Sequence, residues 1–138
     1  MFYEEYSMGV NATRQHQRLI AELIAQLRMF YKQGVIGLEP IPEAMVDEDH
    51  TSPTPDIILV NAANEVKCII EITVSAASLN NDFKKVRTLI DHYEYGIEEG
   101  FAYNHSLNIW RKYQRGLGEI TVQPSYSSLL NLDLAHLL

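Results

Sequence analysis

Two acidic residues, Asp56 and Glu71, lie on two short runs rich in β-branched residues, PDIILV and KCIIEITV, which are separated by NAANEV. This pattern predicts a β-hairpin. If Asn61 and Val66 close a four-residue loop, antiparallel pairing brings Asp56 opposite Glu71. The same register pairs Val60 with Lys67 and Ile58 with Ile69. The hairpin would therefore bring together two carboxylates from neighbouring strands.

Such a carboxylate pair could hold a divalent metal ion. Residues directly opposite each other in an antiparallel pair have Cβ atoms about 4.5–5.5 Å apart. Like charges so placed destabilise the fold unless one is protonated or a cation lies between them. Oxygen ligands at this spacing suit Mg²⁺ or Mn²⁺, which can activate a water molecule and stabilise charge on a phosphodiester. Two solvent-facing acids on a half-exposed sheet are the alternative, and the hairpin alone favours neither.

The alternation of side chains along the two strands separates these acids from an apolar face. Asp56 and Glu71 share their face with Ile58, Val60, Ile69 and Thr73. The opposite face is apolar throughout and consists of Ile57, Leu59, Cys68, Ile70 and Ile72. We expect this apolar face to be buried core. A slip of one residue would bring the acids into that core, so the pattern itself favours the proposed register.

The elements around the hairpin follow from apolar spacing and turn residues. We predict a helix over 12–33 capped by Asn11 or Thr13, then an irregular strand over 35–47 and a loop over 47–55. A second helix is predicted over 79–95, capped by Asn80, Asn81 or Asp82 and ended by Gly96. A strand pair that turns at His105 and Ser106 follows, and the tail begins as a strand and becomes irregular or helical. This order predicts a single α/β (α+β) domain over residues 1–138, with a mixed central sheet flanked by helices.

The composition narrows the class of function. Of the 138 residues, 46% are hydrophobic and 21% charged, as in ordinary globular proteins, and no apolar run reaches membrane-spanning length. The start shows no basic stretch followed by an apolar core, and Cys68 is the only cysteine, so we predict a cytoplasmic protein with a buried, reduced thiol. The net charge of -7 argues against non-specific coating of nucleic acid. Any nucleic-acid contact would need a local basic surface.

Pro55-Asp56, followed by Glu71-Ile72-Thr73, resembles the PD-(D/E)xK nuclease motif. In that superfamily the Asp and the Glu hold the metal, and a lysine two residues past the Glu positions the water. Here Thr73 stands at the lysine position, so the site is a PD…ExT variant of the motif.

The wider pattern resembles the Uma-type family of restriction-endonuclease-like proteins, from about residue 7 to the end. The segments that carry the resemblance are, in order, YSMGVNATRQHQRLIAELIAQL, PDIILV, IIEITVSAAS, DFKKVRTLIDHYEYGIEEGFAYN and SYSSLLNLDLAHLL. The resemblance implies a restriction-endonuclease-like fold, a metal site of Asp56 and Glu71 for Mg²⁺ or Mn²⁺, and nucleic acid, above all DNA, as the partner.

In this family the lysine has moved from the strand into the following helix, and the resemblance carries its role to Lys85. On a helical wheel Lys85 lies at the border of the apolar stripe, where a long side chain can reach over the sheet edge. Arg87, at the opposite border of the stripe, and Lys84, which points farther from the stripe, are alternative candidates for the role of this lysine. A surface lysine without a role is the alternative.

His16 falls on the apolar side of the first helix, and spacing alone indicates a hydrogen-bonded core histidine. The resemblance instead makes His16, together with Gln17, an active-site neighbour. It also suggests Glu4 or Glu5 as a further metal ligand. His50, in the loop before Asp56, could reach the site, although a loop histidine without a role is the simpler interpretation.

These observations support two main hypotheses. The first is a metal-dependent nuclease that cleaves phosphodiester bonds, with DNA as the predicted substrate. The second is a nuclease-fold module that binds or scaffolds without cutting, which Thr73 and the acidic net charge favour. A third hypothesis is a homodimer formed through the apolar residues of 127–138. No membrane association is predicted.

Overall fold

A computed structural model describes the backbone of residues 2–42, 46 and 54–138, and within these ranges the side chains from Arg14 onward. The helices are α1 (Phe2–Lys32) and α2 (Leu79–Asp91), and the strands are β1 (Glu39–Pro42), β2 (Ile57–Val60), β3 (Val66–Thr73), β4 (Glu99–Asn104), β5 (Ile109–Gln114), β6 (Gly118–Ile120), β7 (Tyr126–Ser127) and β8 (Leu132–Asp133). Short 3₁₀ helices cover Ala76–Ser78 and Leu134–Leu137.

Strands β1 to β6 form one sheet in chain order, and β7 pairs with β8 in a separate two-stranded sheet. Strands β3 and β4 are parallel, and the other neighbours in the large sheet are antiparallel. Helix α2 makes the crossover between the two parallel strands, as a parallel connection requires. The part of the chain that the structure describes is therefore α+β, with a mixed sheet and two α-helices, which confirms the predicted fold class.

The predicted hairpin register is confirmed over most of its length. Ile57 pairs with Ile70, Ile58 with Ile69 and Leu59 with Cys68. A bulge follows, so Val60 pairs with Val66, and the predicted pairing of Val60 with Lys67 is wrong. The reason lies in the turn, where the Asn61 side chain accepts hydrogen bonds from the N–H groups of Ala63 and Glu65. The Asn61 N–H donates to the Glu65 carbonyl, which shortens the loop by one residue.

Both faces of the central strands β2, β3 and β4 are buried. The predicted apolar face packs against α1 and the C-terminal residues, in a core that includes Ile57, Leu59, Cys68, Ile70, Ile72, Leu19, Leu23, Leu27, Leu130, Leu134 and Leu137. The other face packs against α2, where Ile58, Val60 and Ile69 meet Val86, Leu89 and Ile90. The alternative of a half-exposed sheet face is therefore wrong. Leu130, Leu134 and Leu137 are buried in the core of the same chain. A homodimer formed through residues 127–138 stays a prediction.

The helix ends differ from those predicted. Helix α1 begins at Phe2, so Asn11 and Thr13 lie inside it and do not cap it. Helix α2 follows directly from a 3₁₀ turn with Ser78 at its N-cap, and it ends at Asp91, before Gly96. The caps predicted at Asn80, Asn81 or Asp82 are therefore wrong. The turn at His105 and Ser106 between β4 and β5 is confirmed. No helix in the described part of the chain has the length and apolar content needed to cross a bilayer.

Gly100 lets α2 approach β4 closely, so we expect Gly100→Ala to destabilise the fold. A Cβ there would lie 2.5 Å from Val86 Cγ1 and 3.0 Å from Ile90 Cδ1. Overpacking of this kind costs about 1–3 kcal/mol in the free energy of unfolding, measurable by urea denaturation. Gly37→Ala is the control, because a Cβ at Gly37 meets nothing within 4 Å. Equal stability of Gly100→Ala and wild type would contradict this close packing.

Candidate active site

The hairpin brings Asp56 and Glu71 into direct contact at the start of β2. The Asp56 N–H donates to Glu71 Oε1 at 3.0 Å, and the Ile72 N–H donates to Asp56 Oδ2 at 2.7 Å. Asp56 lies just before β2, and the register that pairs Ile57 with Ile70 places it opposite Glu71. One oxygen of each carboxylate is thus fixed by a backbone N–H of the neighbouring strand. The predicted convergence of the two acids is present in the structure.

The second oxygen of each carboxylate contacts a side-chain nitrogen from a helix. Lys85 Nζ on α2 lies 3.2 Å from Glu71 Oε2, and His16 Nε2 on α1 lies 3.0 Å from Asp56 Oδ1. Lys85 Nζ also donates to the Thr54 carbonyl at 3.2 Å. Two helices on opposite faces of the sheet therefore contribute basic nitrogens to one pair of acids.

Burial makes this cluster electrostatically unusual. The side chains of Glu71 and Asp56 are only 5% and 14% exposed. Burial, followed by the negative charge of Asp56, raises the pKa of Glu71 from its ordinary 4.5 to about 7, although Lys85 partly opposes the shift. Strongly shifted carboxyl groups in contact with specific charged partners are characteristic of functional sites.

Asp82, in the first turn of α2, is a neighbour that the sequence analysis considered only as a helix cap. Burial raises its pKa; the charge of Lys85 opposes that shift, Asp56 adds to it, and His16 lowers it. The Asp82 carboxyl, half-buried one turn before Lys85, therefore shares the electrostatic environment of this cluster. The signal in the sequence was its spacing, because residues three apart on a helix lie on the same side, and Asp82 precedes Lys85 by three positions.

Thr73, at the position of the family's lysine, is part of the fold. Its hydroxyl donates to the Tyr103 carbonyl at 3.2 Å and accepts from Asn104 Nδ2 at 2.6 Å. Thr73 is 3% exposed and joins β3 to β4. The cation that reaches Glu71 comes instead from α2.

The remaining predicted residues are exposed, contact other side chains or fall outside the described residues. Lys84 is exposed on α2, and the Arg87 guanidinium lies 5.7 Å from the centre of the Phe83 ring. Gln17 is exposed on α1, next to His16. The side chains of Glu4 and Glu5, and the whole of His50, lie outside the described residues.

The donor set fits a hard divalent ion. The oxygens that face Lys85 and His16 already attract positively charged or hydrogen-donating groups, and carboxylate oxygens are the ligands that Mg²⁺ prefers. Among the residues that the structure describes, no group of three or more His, Cys, Asp or Glu side chains could hold a metal. Two protein ligands nevertheless suit Mg²⁺, which usually keeps several waters and takes the rest of its ligands from substrate phosphates.

Comparison with known proteins leaves the family open. No protein-family model matches the chain. No curated protein matches it either. A chain in the cryo-EM structure of the DrdV–DNA complex is similar in structure, with a TM-score of 0.46 and 15% sequence identity. The similarity covers 75% of this chain but only 12% of that much longer chain. The Uma-type resemblance therefore stays a prediction.

Proposed function

We propose that this protein is a metal-dependent nuclease that hydrolyses phosphodiester bonds, with DNA as its substrate. The observation that carries the proposal is the contact between Asp56 and Glu71, whose outer oxygens meet His16 and Lys85 at 3.0 and 3.2 Å. Each residue comes from a different element, so the fold brings together groups that are distant in sequence. Burial and the charge of Asp56 raise the pKa of Glu71 to about 7 even with Lys85 in contact, so the ionised acid pair costs stability. A site with this cost is best explained by a function that uses it.

Asp56 and Glu71 are the residues that would hold Mg²⁺ or Mn²⁺. Bound there, such an ion would supply Lewis acidity to the water and the phosphate. Lys85, fixed by the Thr54 carbonyl and Glu71, would orient that water or stabilise the charge that develops on the phosphate. The water oxygen forms a bond to phosphorus as the bond to the leaving strand oxygen breaks. The proton of the water would pass to solvent, and the leaving oxygen would take a proton from solvent. His16, whose Nε2 contacts Asp56 Oδ1, would hold that carboxylate in place, and Gln17 follows it on α1.

The test is cleavage of plasmid and single-stranded DNA with Mg²⁺, with Mn²⁺ and with a chelator. We expect cleavage with either ion, none with the chelator, and recovery when the ion is restored. Lys85→Ala should lower the cleavage rate by about 10²–10³-fold, the usual loss when one group that stabilises transition-state charge is removed. Lys32→Ala, which removes an exposed lysine of α1, is the control. Cleavage at the wild-type rate by Lys85→Ala would contradict the role given to this amine.

A second candidate function is a nuclease-fold module that binds without cutting. It is favoured by the fact that each of the four oxygens of Asp56 and Glu71 has a hydrogen-bond or ion-pair partner within the protein. A metal would have to compete with Lys85 and His16 for two of them. Calorimetric titration of the protein with Mn²⁺ distinguishes the two functions. Absence of Mn²⁺ binding at millimolar concentration would favour the non-cutting module.

A further inference from the structure

A groove of about 280 Å³ lies along α2. The side chains that line it are Asn81, Lys84, Lys85, Thr88, Leu89 and Tyr93. Their spacing of three and four residues makes them a single stripe along the helix and just past its end. Lys85 belongs to both places, because it lines the groove and its Nζ contacts Glu71. We call this feature the α2 groove.

An aromatic surface lies at the far end of the α2 groove. The Tyr93 ring stacks on the Tyr95 ring, with 5.2 Å between centroids and 8° between planes. Tyr95 in turn packs against the core cluster beneath α2, so it holds the Tyr93 ring from behind. Tyr93 is 38% exposed. A ring that is held in place and still exposed loses little conformational entropy when a flat ligand stacks on it.

The near end of the α2 groove is cationic. Lys84 is exposed there, and Lys85 faces the candidate site. Eight residues separate Lys85 from Tyr93, or about 12 Å at the helical rise per residue. At the aromatic end, Asp91 accepts a hydrogen bond from the Tyr113 hydroxyl on β5, and Glu94, next to Tyr93 in the chain, is exposed. Ammonium groups at one end and an aromatic ring at the other match the two parts of a nucleotide, a phosphate and a base.

The size of the α2 groove limits what it can hold. At about 280 Å³ it lies just below the range of about 300–1,000 Å³ that is usual for small-molecule sites, so it suits a single nucleotide unit. A base inside a duplex is stacked on both faces and paired along one edge. It cannot stack on the Tyr93 ring unless it leaves the duplex. The occupant must therefore be an unpaired nucleotide.

We propose that the α2 groove binds an unpaired nucleotide beside the scissile phosphate, with its base on Tyr93 and its phosphate on Lys84. This inference rests on the proposed function for the identity of the ligand as nucleic acid. It specifies the substrate class, which is nucleic acid with a single-stranded segment, such as an overhang, a flap or a single strand. The acidic net charge of -7 agrees with affinity that comes from one local patch.

The test is binding of fluorescently labelled oligonucleotides, single-stranded or blunt duplex, measured by anisotropy in chelator so that no cleavage occurs. We expect Tyr93→Ala to weaken single-strand binding by about 5- to 100-fold, since stacking of one base on an aromatic ring is worth that much. Tyr93→Phe should bind normally, because the ring remains. Lys84→Ala should lower the salt dependence of log Kd by about 0.7, the contribution of one phosphate contact on a single strand. Tyr31→Ala is the matched control, because Tyr31 is 37% exposed on α1.

Several outcomes would overturn the inference. It fails if Tyr93→Ala binds single strands as tightly as wild type, if Tyr31→Ala loses as much affinity, or if the duplex depends on Tyr93 equally. It also fails if a polyglutamate peptide binds in preference to the oligonucleotide. Cleavage separates this result from the fate of the nuclease proposal. Metal-dependent cleavage that is unaffected by Tyr93→Ala leaves the nuclease proposal intact and contradicts the α2 groove inference. Tyr93-dependent binding without any cleavage supports the α2 groove inference and contradicts the nuclease proposal.

Discussion

Replacing Glu71 with glutamine, or Asp56 with asparagine, should reduce metal-dependent DNA cleavage by at least about 10²–10³-fold. Each substitution keeps the shape of the side chain and removes one negative charge. In either variant the remaining carboxylate should bind Mg²⁺ or Mn²⁺ more weakly, and in Glu71→Gln Lys85 also loses the charged partner of its amine. The measurement is single-turnover cleavage of a plasmid at saturating Mn²⁺, together with the affinity for Mn²⁺ from calorimetry.

The controls for this prediction separate catalysis from folding. Glu22→Gln removes the charge of an exposed carboxylate on α1 and should cleave DNA at the wild-type rate. Thermal unfolding of the Asp56 and Glu71 variants should show folded proteins. Cleavage that survives both substitutions would mean that this pair is not the active site, and any activity would then have to be assigned elsewhere or to a contaminant.

The geometry of the acid pair could be predicted because it depends on local rules. Two β-branched runs on either side of a short turn fix the pairing of Ile58 with Ile69, and this register places Asp56 opposite Glu71. The bulge at Val60 was missed because the Asn61 side chain, rather than loop length, closes the turn. That error did not affect the site, since the bulge lies at the other end of the hairpin.

Long-range contacts were less accessible to sequence reasoning. Lys112 lies in an alternating run that suggests a solvent-exposed edge strand, yet it is buried at 4% exposure and pairs with Glu99 at 3.5 Å. Its Nζ also donates to the Tyr126 carbonyl, and the Ser127 hydroxyl donates to Glu99. The contacts with Tyr126 and Ser127 form because the residues after β6 fold back over the sheet. No periodicity within β5 encodes that return.

The position of Lys85 shows the same contrast between local contacts, which the sequence predicts, and long-range contacts, which it does not. The helical wheel placed it correctly at the border of the apolar stripe, and the structure brings its amine to Glu71. The helix carries no signal for the Thr54 carbonyl, its second partner, because that contact spans 31 residues. The influence of Asp56 and His16 on the pKa of Asp82 likewise depends on the packing of segments that are distant in sequence, which the position of Asp82 on α2 does not encode.

Lowering the pH should stabilise the metal-free protein, and Glu71 is the reason. Its pKa rises from 4.5 to about 7 on folding, chiefly because of burial and then because of the charge of Asp56. The folded state therefore binds the proton more tightly than the unfolded state does. The stability that this proton provides is fully present below about pH 4.5 and is lost as the pH rises through about 7. Between pH 8 and pH 5 the free energy of unfolding should rise by about 2–3 kcal/mol.

The comparison that isolates this effect is wild type against Glu71→Gln, with urea denaturation in chelator at several pH values. Glutamine cannot ionise, so this variant should be more stable than wild type at pH 8, and the difference should shrink toward pH 5. Saturating Mg²⁺ should reverse the trend in wild type, because the metal binds the carboxylate form and competes with the proton. If the two proteins show the same pH dependence in chelator, Glu71 does not carry the raised pKa. The buried acid pair would then lack the electrostatic cost from which we infer a function.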